Sequence, residues 1–340
     1  MTDALEYAHF DVAIIGAGPA GLAAATALKR GGVERVVILE RECVAGGIPR
    51  HCGHPPFGLR EFHRIMAGPS YARRLVETAR DAGADIALKT TVTALGPSGA
   101  LSVVSPAGLA KLSAKRVLLA TGIRETPRAA RLVSGDRPPG ICNTGALPSM
   151  VYLKNQVPFR RPVIVGTELV SFSALLTCWR AGIRPVAMLE EGPRAHVRWP
   201  LHHGARLFGV PLLYGARIIA ITGRSRVEAV QITDESGRPC EIGCDGVLFT
   251  GQFTPEASLV ALSHLALDPD TGGPAVDRFG RCSDPSYFAA GNVLRAVETA
   301  GACWREGRAA ARWIARDFAA GLPSPDTAGR KNADQSRDSG

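Results

Sequence analysis

Three glycines and one acid carry the clearest chemistry in this 340-residue chain. Gly16, Gly18 and Gly21 spell G-x-G-x-x-G within DVAIIGAGPAGLAAATALKRGGVERVVILE, and Glu40 closes the next apolar run, 19 residues past Gly21. VAIIG has the character of a buried parallel strand. The glycines after it let the chain turn sharply, bring its backbone close to a pyrophosphate and seat a helix tightly on the strand. Pro19 and Ala20 open that helix, whose free N–H groups can meet phosphate. Glu40, at the end of VVILE, is placed to accept hydrogen bonds from the ribose hydroxyls of an adenosine.

The same spacing returns 150 residues later in PVIVGTELVSFSALLTCWRAGIRPVAMLE, where the matching positions are Gly166, Glu168, Ser171 and Glu190. Glu168 stands where the backbone must approach a pyrophosphate, and its carboxylate adds bulk and like-charge repulsion there. The first site is therefore read as intact. NAD(P) binding at the second is expected to be weak or lost, although the fold of that segment does not need the ligand.

Two further clusters hold reactive side chains. The loop AGGIPRHCGHPPFG brings Arg50, His51, Cys52 and His54 within five residues. One reading is a metal site using Cys52, His54 and Cys43, for which no fourth ligand is evident, so no metal is expected. Another is a Pro-rich loop whose imidazoles bond backbone carbonyls. EEGPRAHVRWPLHHG carries Arg194, His196, Arg198, Trp199, His202 and His203, read as a docking surface or as a solvated loop with Trp199 beneath it. Cys240 and Cys244 flank E-I-G but lack partners nearby and read as strand-edge thiols.

Composition sets the frame for the elements that position these residues. With 46% hydrophobic and 21% charged residues, the chain has the make-up of a globular protein large enough for two cores. The longest uncharged stretch, Val12 to Leu28, contains the glycine turn and so reads as strand plus half a helix; no membrane span is expected. Asp3 and Glu6 precede the first strand with neither a basic n-region nor an apolar h-region, and eight scattered cysteines include no C-x-x-C. A cytoplasmic protein with reduced thiols is the expectation. The net charge of +9 comes from dispersed arginines such as Arg30, Arg180, Arg305 and Arg312, without interleaved aromatics, so no nucleic-acid binding is expected. Such a surface attracts anionic substrates or an acidic protein.

RVLLATG, ending at Thr121 and Gly122, and GVLFTG, ending at Gly251, each read as a final strand closing a nucleotide-binding domain. After the second, a strand in YFAAGN and an apolar-periodic helix with arginines on its outer face return the chain to the first domain. The predicted class is α/β, with two nested Rossmann-like three-layer domains. Residues 9–127 and 252–320 form the first, 128–251 the second, and 321–340 a disordered polar tail.

Together GAGPAG, the ATG segment and YFAAGN resemble the two-dinucleotide-binding flavoproteins, the family of thioredoxin reductase and the disulfide oxidoreductases, over about residues 9–320. The resemblance implies that the first nucleotide is FAD, held by Gly16, Gly18, Pro19, Ala20, Gly21, Glu40, Gly47, Thr121, Gly122, Gly291 and Asn292. It further implies that Thr299 and Ala300 open a helix whose positive end faces the flavin pyrimidine edge. In that family the last motif ends in Asp, where this chain has Asn292. Disulfide reductases place two cysteines behind a Gly-Gly, and the corresponding positions here are Pro49 and His54, which excludes a dithiol mechanism at this loop. A catalytic reading keeps the loop as a flavin-side wall, with Cys52 as a thiol near the ring, His54 as a proton relay and His51 beside them. The chain is also short for the group, with no room for a C-terminal dimerisation domain.

GGIPRHCGHPPFG, GPSYARRL, VETAG and the paired Thr-Gly strands resemble the FAD-binding subunits of multi-subunit bacterial dehydrogenases. That group contains opine oxidase, hydrogen cyanide synthase and hydroxyproline dehydrogenase, and the flavoproteins of anaerobic glycerol-3-phosphate dehydrogenases are also similar. The resemblance implies an FAD-dependent oxidoreductase that transfers electrons within an amino-acid, opine or polyol dehydrogenase. Its partners would be a second dehydrogenase subunit, together with a small iron–sulfur protein, since no iron–sulfur module follows the body here. A self-sufficient NAD(P)H-dependent flavin reductase and a non-catalytic nucleotide-binding scaffold subunit remain open.

Overall fold

The computed structural model describes residues 8–197, 204–296 and 298–323. The chain divides into two compact units, each interrupted in sequence: 1–50, 56–124 and 254–340 in the first, and 51–55 with 125–253 in the second. The chain passes between them at 124/125 and 253/254. The short loop His51–Pro55 groups with the second unit, whereas the sequence reading assigned it to the first.

In the first unit β1 (Ala8–Ile15) is followed by α1 (Pro19–Arg30) and β2 (Val36–Leu39), then β3 (Asp85–Ala87), β4 (Thr91–Leu95), β5 (Ala100–Ser105) and β6 (Gly108–Leu119). The sheet order is β3-β2-β1-β6-β5-β4, with the strand Tyr287–Ala289 also joined to β6. β1 and β2 read as unbroken apolar runs because helices and the β4-β5-β6 layer bury them on both faces; Val12–Ile15 and all of β2 are buried. β6 changes partner along its length. Gly108–Ser113 pairs antiparallel with β5, whereas Val117–Leu119 lies parallel to both β1 and Tyr287–Ala289.

α1 is rich in Ala and Gly because two partners press closely on it. A Cβ at Gly21 would lie 2.0 Å from the Gly16 carbonyl oxygen, and a Cβ at Gly307 would lie 2.0 Å from that of Ala20. Gly307 belongs to the terminal helix Ala300–Ala320, which is capped by the Thr299 hydroxyl accepting from Ala302 N–H at 3.3 Å.

The second unit repeats this logic. Its parallel sheet has the order Leu212–Leu213, Ala187–Leu189, Pro162–Val165, Gly246–Phe249, Ile141–Asn143. A helix at Leu169–Arg180 follows Pro162–Val165 as α1 follows β1. A second, four-stranded sheet contains Arg217–Thr222, Ala229–Thr233 and Pro239–Gly243. No helix among the described residues is long and apolar enough to cross a membrane.

Candidate functional site

The carboxyl ends of β1, β6 and Tyr287–Ala289 converge, and every loop leaving them contains residues singled out from the sequence. Gly16 turns away from β1 at φ 108°, with its N–H on the Leu39 carbonyl at 2.9 Å. A Cβ there would sit 2.5 Å from the Ala120 oxygen, so the fingerprint turn lies directly on the ATG segment. Thr121 is fixed by donating its hydroxyl to the Glu256 carbonyl at 2.7 Å, and Gly122 has φ 78°. The three fingerprint glycines thus serve different ends. Gly16 and Gly21 are demanded by backbone packing, whereas a Cβ at Gly18 would meet no protein atom within 4 Å. Gly18 faces open space at the N-cap of α1, where no side chain caps the helix. Uncapped N–H groups beside open space are what an anionic group needs.

Glu40 is 8% exposed. Its carboxylate accepts from Ala17 N–H at 2.8 Å and from Glu42 N–H at 2.9 Å, which fixes its plane and leaves lone pairs for ribose hydroxyls. Gly46 donates to the Ala17 carbonyl at 2.8 Å, and Gly47, at φ 62°, presses its backbone on Gly18: a Cβ at Gly47 would stand 2.8 Å from the Gly18 Cα.

At the third strand end, Gly291 has φ 82° and donates its N–H to Glu306 at 2.9 Å. Asn292 uses both ends of its amide: Oδ1 accepts from Glu298 N–H at 2.8 Å and Nδ2 donates to the Glu298 carbonyl at 3.3 Å. An aspartate could make only the first bond, which gives the amide a structural reason to replace the acid. Two groups here carried no sequence signal. Glu61 accepts from the Tyr71 hydroxyl at 3.0 Å and lies against Gly301 in the first turn of the terminal helix. Cys303, beside Gly291, is buried, and burial pushes its thiol up to about 11.

The second fingerprint has the backbone of the first and different contents. Gly166 turns at φ 114° with its N–H on the Leu189 carbonyl at 2.8 Å, and the helix N-cap is again extended. The N-cap residue, however, is Glu168. Its carboxylate accepts from Thr250 Oγ1 at 2.9 Å and from Ser171 Oγ at 3.2 Å, and folds onto the backbone of Gly251. A negative charge of the protein's own therefore sits at the helix N-terminus. Glu190 matches Glu40 in bonding the backbone two residues on, through Gly192 N–H at 2.9 Å, but its other oxygen accepts from Thr167 Oγ1 and from His196 Nδ1 at 3.1 Å. Arg131 donates to the carbonyls of Thr126, Thr250 and Gly251 at 3.1, 3.0 and 2.8 Å. Burial pulls its guanidinium down from its ordinary value, and the charges of Glu168 and Glu125 oppose that pull.

The His51–Pro55 loop is tied by its own unit. His54 donates Nδ1–H to the Pro55 carbonyl at 2.9 Å, so Nε2 accepts from the Ser173 hydroxyl. Arg180 donates to the Gly53 carbonyl, and a Cβ at Gly53 would enter the Tyr152 ring. Cys52 is half-buried, and burial pushes its thiol up to about 11, so it is protonated at neutral pH, opposite to the environment that activates a cysteine. Of the other cluster, His196 is found on Glu190 and Arg194 is exposed; Arg198, Trp199, His202 and His203 lie outside the described residues, as does the tail from 324.

Two Rossmann-type units nested in sequence, the first with an open pyrophosphate crevice and a buried ribose acid, define an α/β dinucleotide-binding oxidoreductase. Residues 10–307 match the pyridine nucleotide-disulphide oxidoreductase model, and the chain belongs to that family. It is similar to the alpha subunit of sarcosine oxidase from Rhizobium meliloti (strain 1021), with 27% identity over 96% of this chain and 32% of that one. It is also similar to an opine oxidase subunit of the same organism, with 26% identity over 67% of this chain and 49% of that one. The chain thus spans a third to a half of those relatives. Among solved structures, the thioredoxin reductase of T. acidophilum has a TM-score of 0.77 at 24% identity, covering 92% of this chain and 99% of that one.

The residues of the first unit fit FAD on their own geometry: space over Gly18, an uncapped helix start and a carboxylate anchored for ribose.

Proposed function

We propose that this chain is the electron-transferring FAD subunit of a multi-subunit dehydrogenase of amino-acid, opine or polyol type. The observation that carries the reading is the Glu168 carboxylate, hydrogen-bonded in place at the N-terminus of the second fingerprint helix. With Glu190 bound by Thr167 and His196, the second unit presents acids already engaged where a nicotinamide dinucleotide would need an anion hole and a free ribose acceptor. Electrons then reach the flavin from another protein. The names of the sarcosine and opine oxidase relatives, which are subunits, support a second dehydrogenase subunit as a partner; a small iron–sulfur protein is the further partner of this reading.

FAD when bound supplies two-electron chemistry to the partner that delivers substrate electrons and single-electron steps to an acceptor. The chain's own residues have supporting roles. Gly16, Gly18, Pro19, Ala20, Gly21 and Gly47 shape the pyrophosphate seat, with Glu40 for the ribose and Thr121, Gly122, Gly291 and Asn292 framing the crevice. The terminal helix, opening at Thr299 and Ala300, directs its positive end toward charge developing on reduction. His51, Cys52 and His54 are the chain's candidates for the catalytic role, with Cys52 a neutral thiol and the His54 ring oriented by the Pro55 carbonyl and the Ser173 hydroxyl.

The discriminating experiment is anaerobic mixing with NADH or NADPH. The expected outcome is a flavin that stays oxidised over seconds to minutes and bleaches only when a dehydrogenase partner and its substrate are added. Rapid, saturable bleaching at micromolar nucleotide would replace this reading with the self-sufficient reductase, and a colourless protein with no bound FAD would leave the scaffold reading.

A further inference from the structure

The terminal helix turns four exposed arginines outward, Arg305, Arg308, Arg312 and Arg316. At spacings of three and four residues they share one face, and they extend over about 16 Å at roughly 1.5 Å per residue. No carboxylate of a described residue pairs with any of them. The helix has two acids, and both are committed to arginines elsewhere: Glu306 to Arg295, and Asp317 to Arg116 at 2.5 Å. Among the described residues the row is therefore unneutralised, on a chain whose net charge is already +9.

Aromatic rings hold parts of the row in place. The Arg308 guanidinium lies 4.7 Å from the Trp304 ring centroid and that of Arg316 lies 5.7 Å from Trp313, both indoles being packed against the core. Trp313 meets Phe279 edge-on at 4.7 Å, and Arg278 stacks over Phe279 at 4.8 Å. Arg278, Phe279, Trp313 and Arg316, together with Leu322 and Pro323, line a groove of about 380 Å³. Stacked guanidinium groups lose less freedom on binding than free ones. A mixture of Arg, Trp and Phe beside an apolar groove has the composition of a protein interface, whereas a bare polyanion would use only the charges. The opposite face of this helix packs on α1, Gly307 against Ala20, so the row belongs to the unit that holds the first fingerprint and faces away from its core.

We propose that this face docks the acidic surface of the protein that exchanges electrons with this chain. The inference rests on the partner-dependent reading above and adds where the partner binds and what charge it carries. Long-range attraction by such a row raises association rates by roughly 10 to 10³ at low salt.

The test uses the full-length, tagged, FAD-loaded chain in its source cell, with a benzophenone amino acid at Arg312 and a control at Arg80, which is exposed on the helix Gly68–Asp81 of the same unit. Irradiation should give a crosslink at 312 to an Asp/Glu-rich peptide of a redox protein. Its yield should fall at least about tenfold in the triple variant Arg305→Glu, Arg308→Glu, Arg316→Glu and at high salt. Equal flavin content and melting temperature in the variant would establish that it folds. A crosslink to a neutral or basic peptide, to nucleic acid or to lipid, a yield indifferent to charge reversal, or no signal above the Arg80 control would each overturn the proposal. If a second dehydrogenase subunit copurifies equally with wild type and triple variant, the docking face is wrong and the partner-dependent reading stands. If none copurifies with either and NADH bleaches the flavin, that reading itself falls.

Discussion

Replacing Glu168 by glycine should restore nicotinamide-nucleotide binding in part, and the size of the effect follows from its surroundings. Two unit charges about 4 Å apart interact by roughly 4 kcal/mol at an effective dielectric constant near 20. Against this, the carboxylate already shares its charge with the Thr250 and Ser171 hydroxyls and with nearby Arg131. The net relief for an incoming pyrophosphate should be about 1–3 kcal/mol, a gain of roughly 5- to 150-fold in affinity. Glu168→Gln separates the causes, because it keeps the bulk and removes the charge. A glutamine variant recovering most of the gain assigns the block to electrostatics; recovery only with glycine assigns it to volume. Each variant also loses a negative charge at a helix N-terminus and should be less stable by about 0.3–1 kcal/mol. NADH affinity would be read by fluorescence titration and flavin reduction by anaerobic stopped flow. Wild type and both variants binding NADH with equal affinity would refute the reasoning, as would micromolar binding by wild type.

Gly18→Val should leave the protein folded and largely flavin-free, because a Cβ at Gly18 meets no protein atom, whereas Gly21→Val should fail to fold because its Cβ would strike the Gly16 carbonyl at 2.0 Å; absorbance per chain and thermal melting distinguish the two outcomes. With Cys43 and Cys240 replaced by serine, Cys52 should react with maleimide slowly at pH 7 and progressively faster as pH rises toward about 11, its thiol being held protonated by burial; fast labelling at pH 7 would contradict this. Burial raises the Glu125 carboxyl, whose Oε1 has no hydrogen-bond partner. The folded state then binds this proton more tightly than the unfolded one, so its contribution to stability is fully present below the unfolded pKa and is lost as pH rises through the folded pKa. Glu125→Gln should accordingly raise the melting temperature at pH 7 and not at pH 4, and equal melting curves at both pH values would show that the carboxyl is not perturbed.

The legible part of this molecule was local. Gly16, Gly21, Glu40 and the two Thr-Gly strand ends announce themselves because a parallel strand, a tight turn and a helix each impose residue types within a few positions. Long-range partners left no such trace. That Gly47 presses on Gly18, or that Gly307 is glycine because the Ala20 carbonyl stands in its way, depends on segments brought together only by the fold. Asn292 stood in the sequence only as a departure from the family's Asp, and nothing local shows that its amide bridges both backbone groups of Glu298. His196 read as one of a loose basic cluster, yet it is the residue that closes Glu190. The arginine row was visible as helical spacing; its lack of counter-ions among the described residues became visible only once Glu306 and Asp317 were seen bound elsewhere.

The partner change within β6 also bears on how the chain acquires its cofactor seat. Val117–Leu119 must wait for Tyr287–Ala289, which the ribosome delivers only after the whole of the second unit. During synthesis the second unit has nearly all its sequence available first, while the first holds an incomplete sheet and an α1 still lacking the helix that covers it. Apolar surface on Leu22, Ala24 and Leu118 is then exposed for the time needed to translate more than a hundred residues, several seconds or longer at about 5–20 residues per second. Of the two units, the first, with its crevice, is thus the later to be completed. Its maturation should depend on what shields that surface in the interval, a chaperone or the arriving cofactor, more than on the stability of the finished fold.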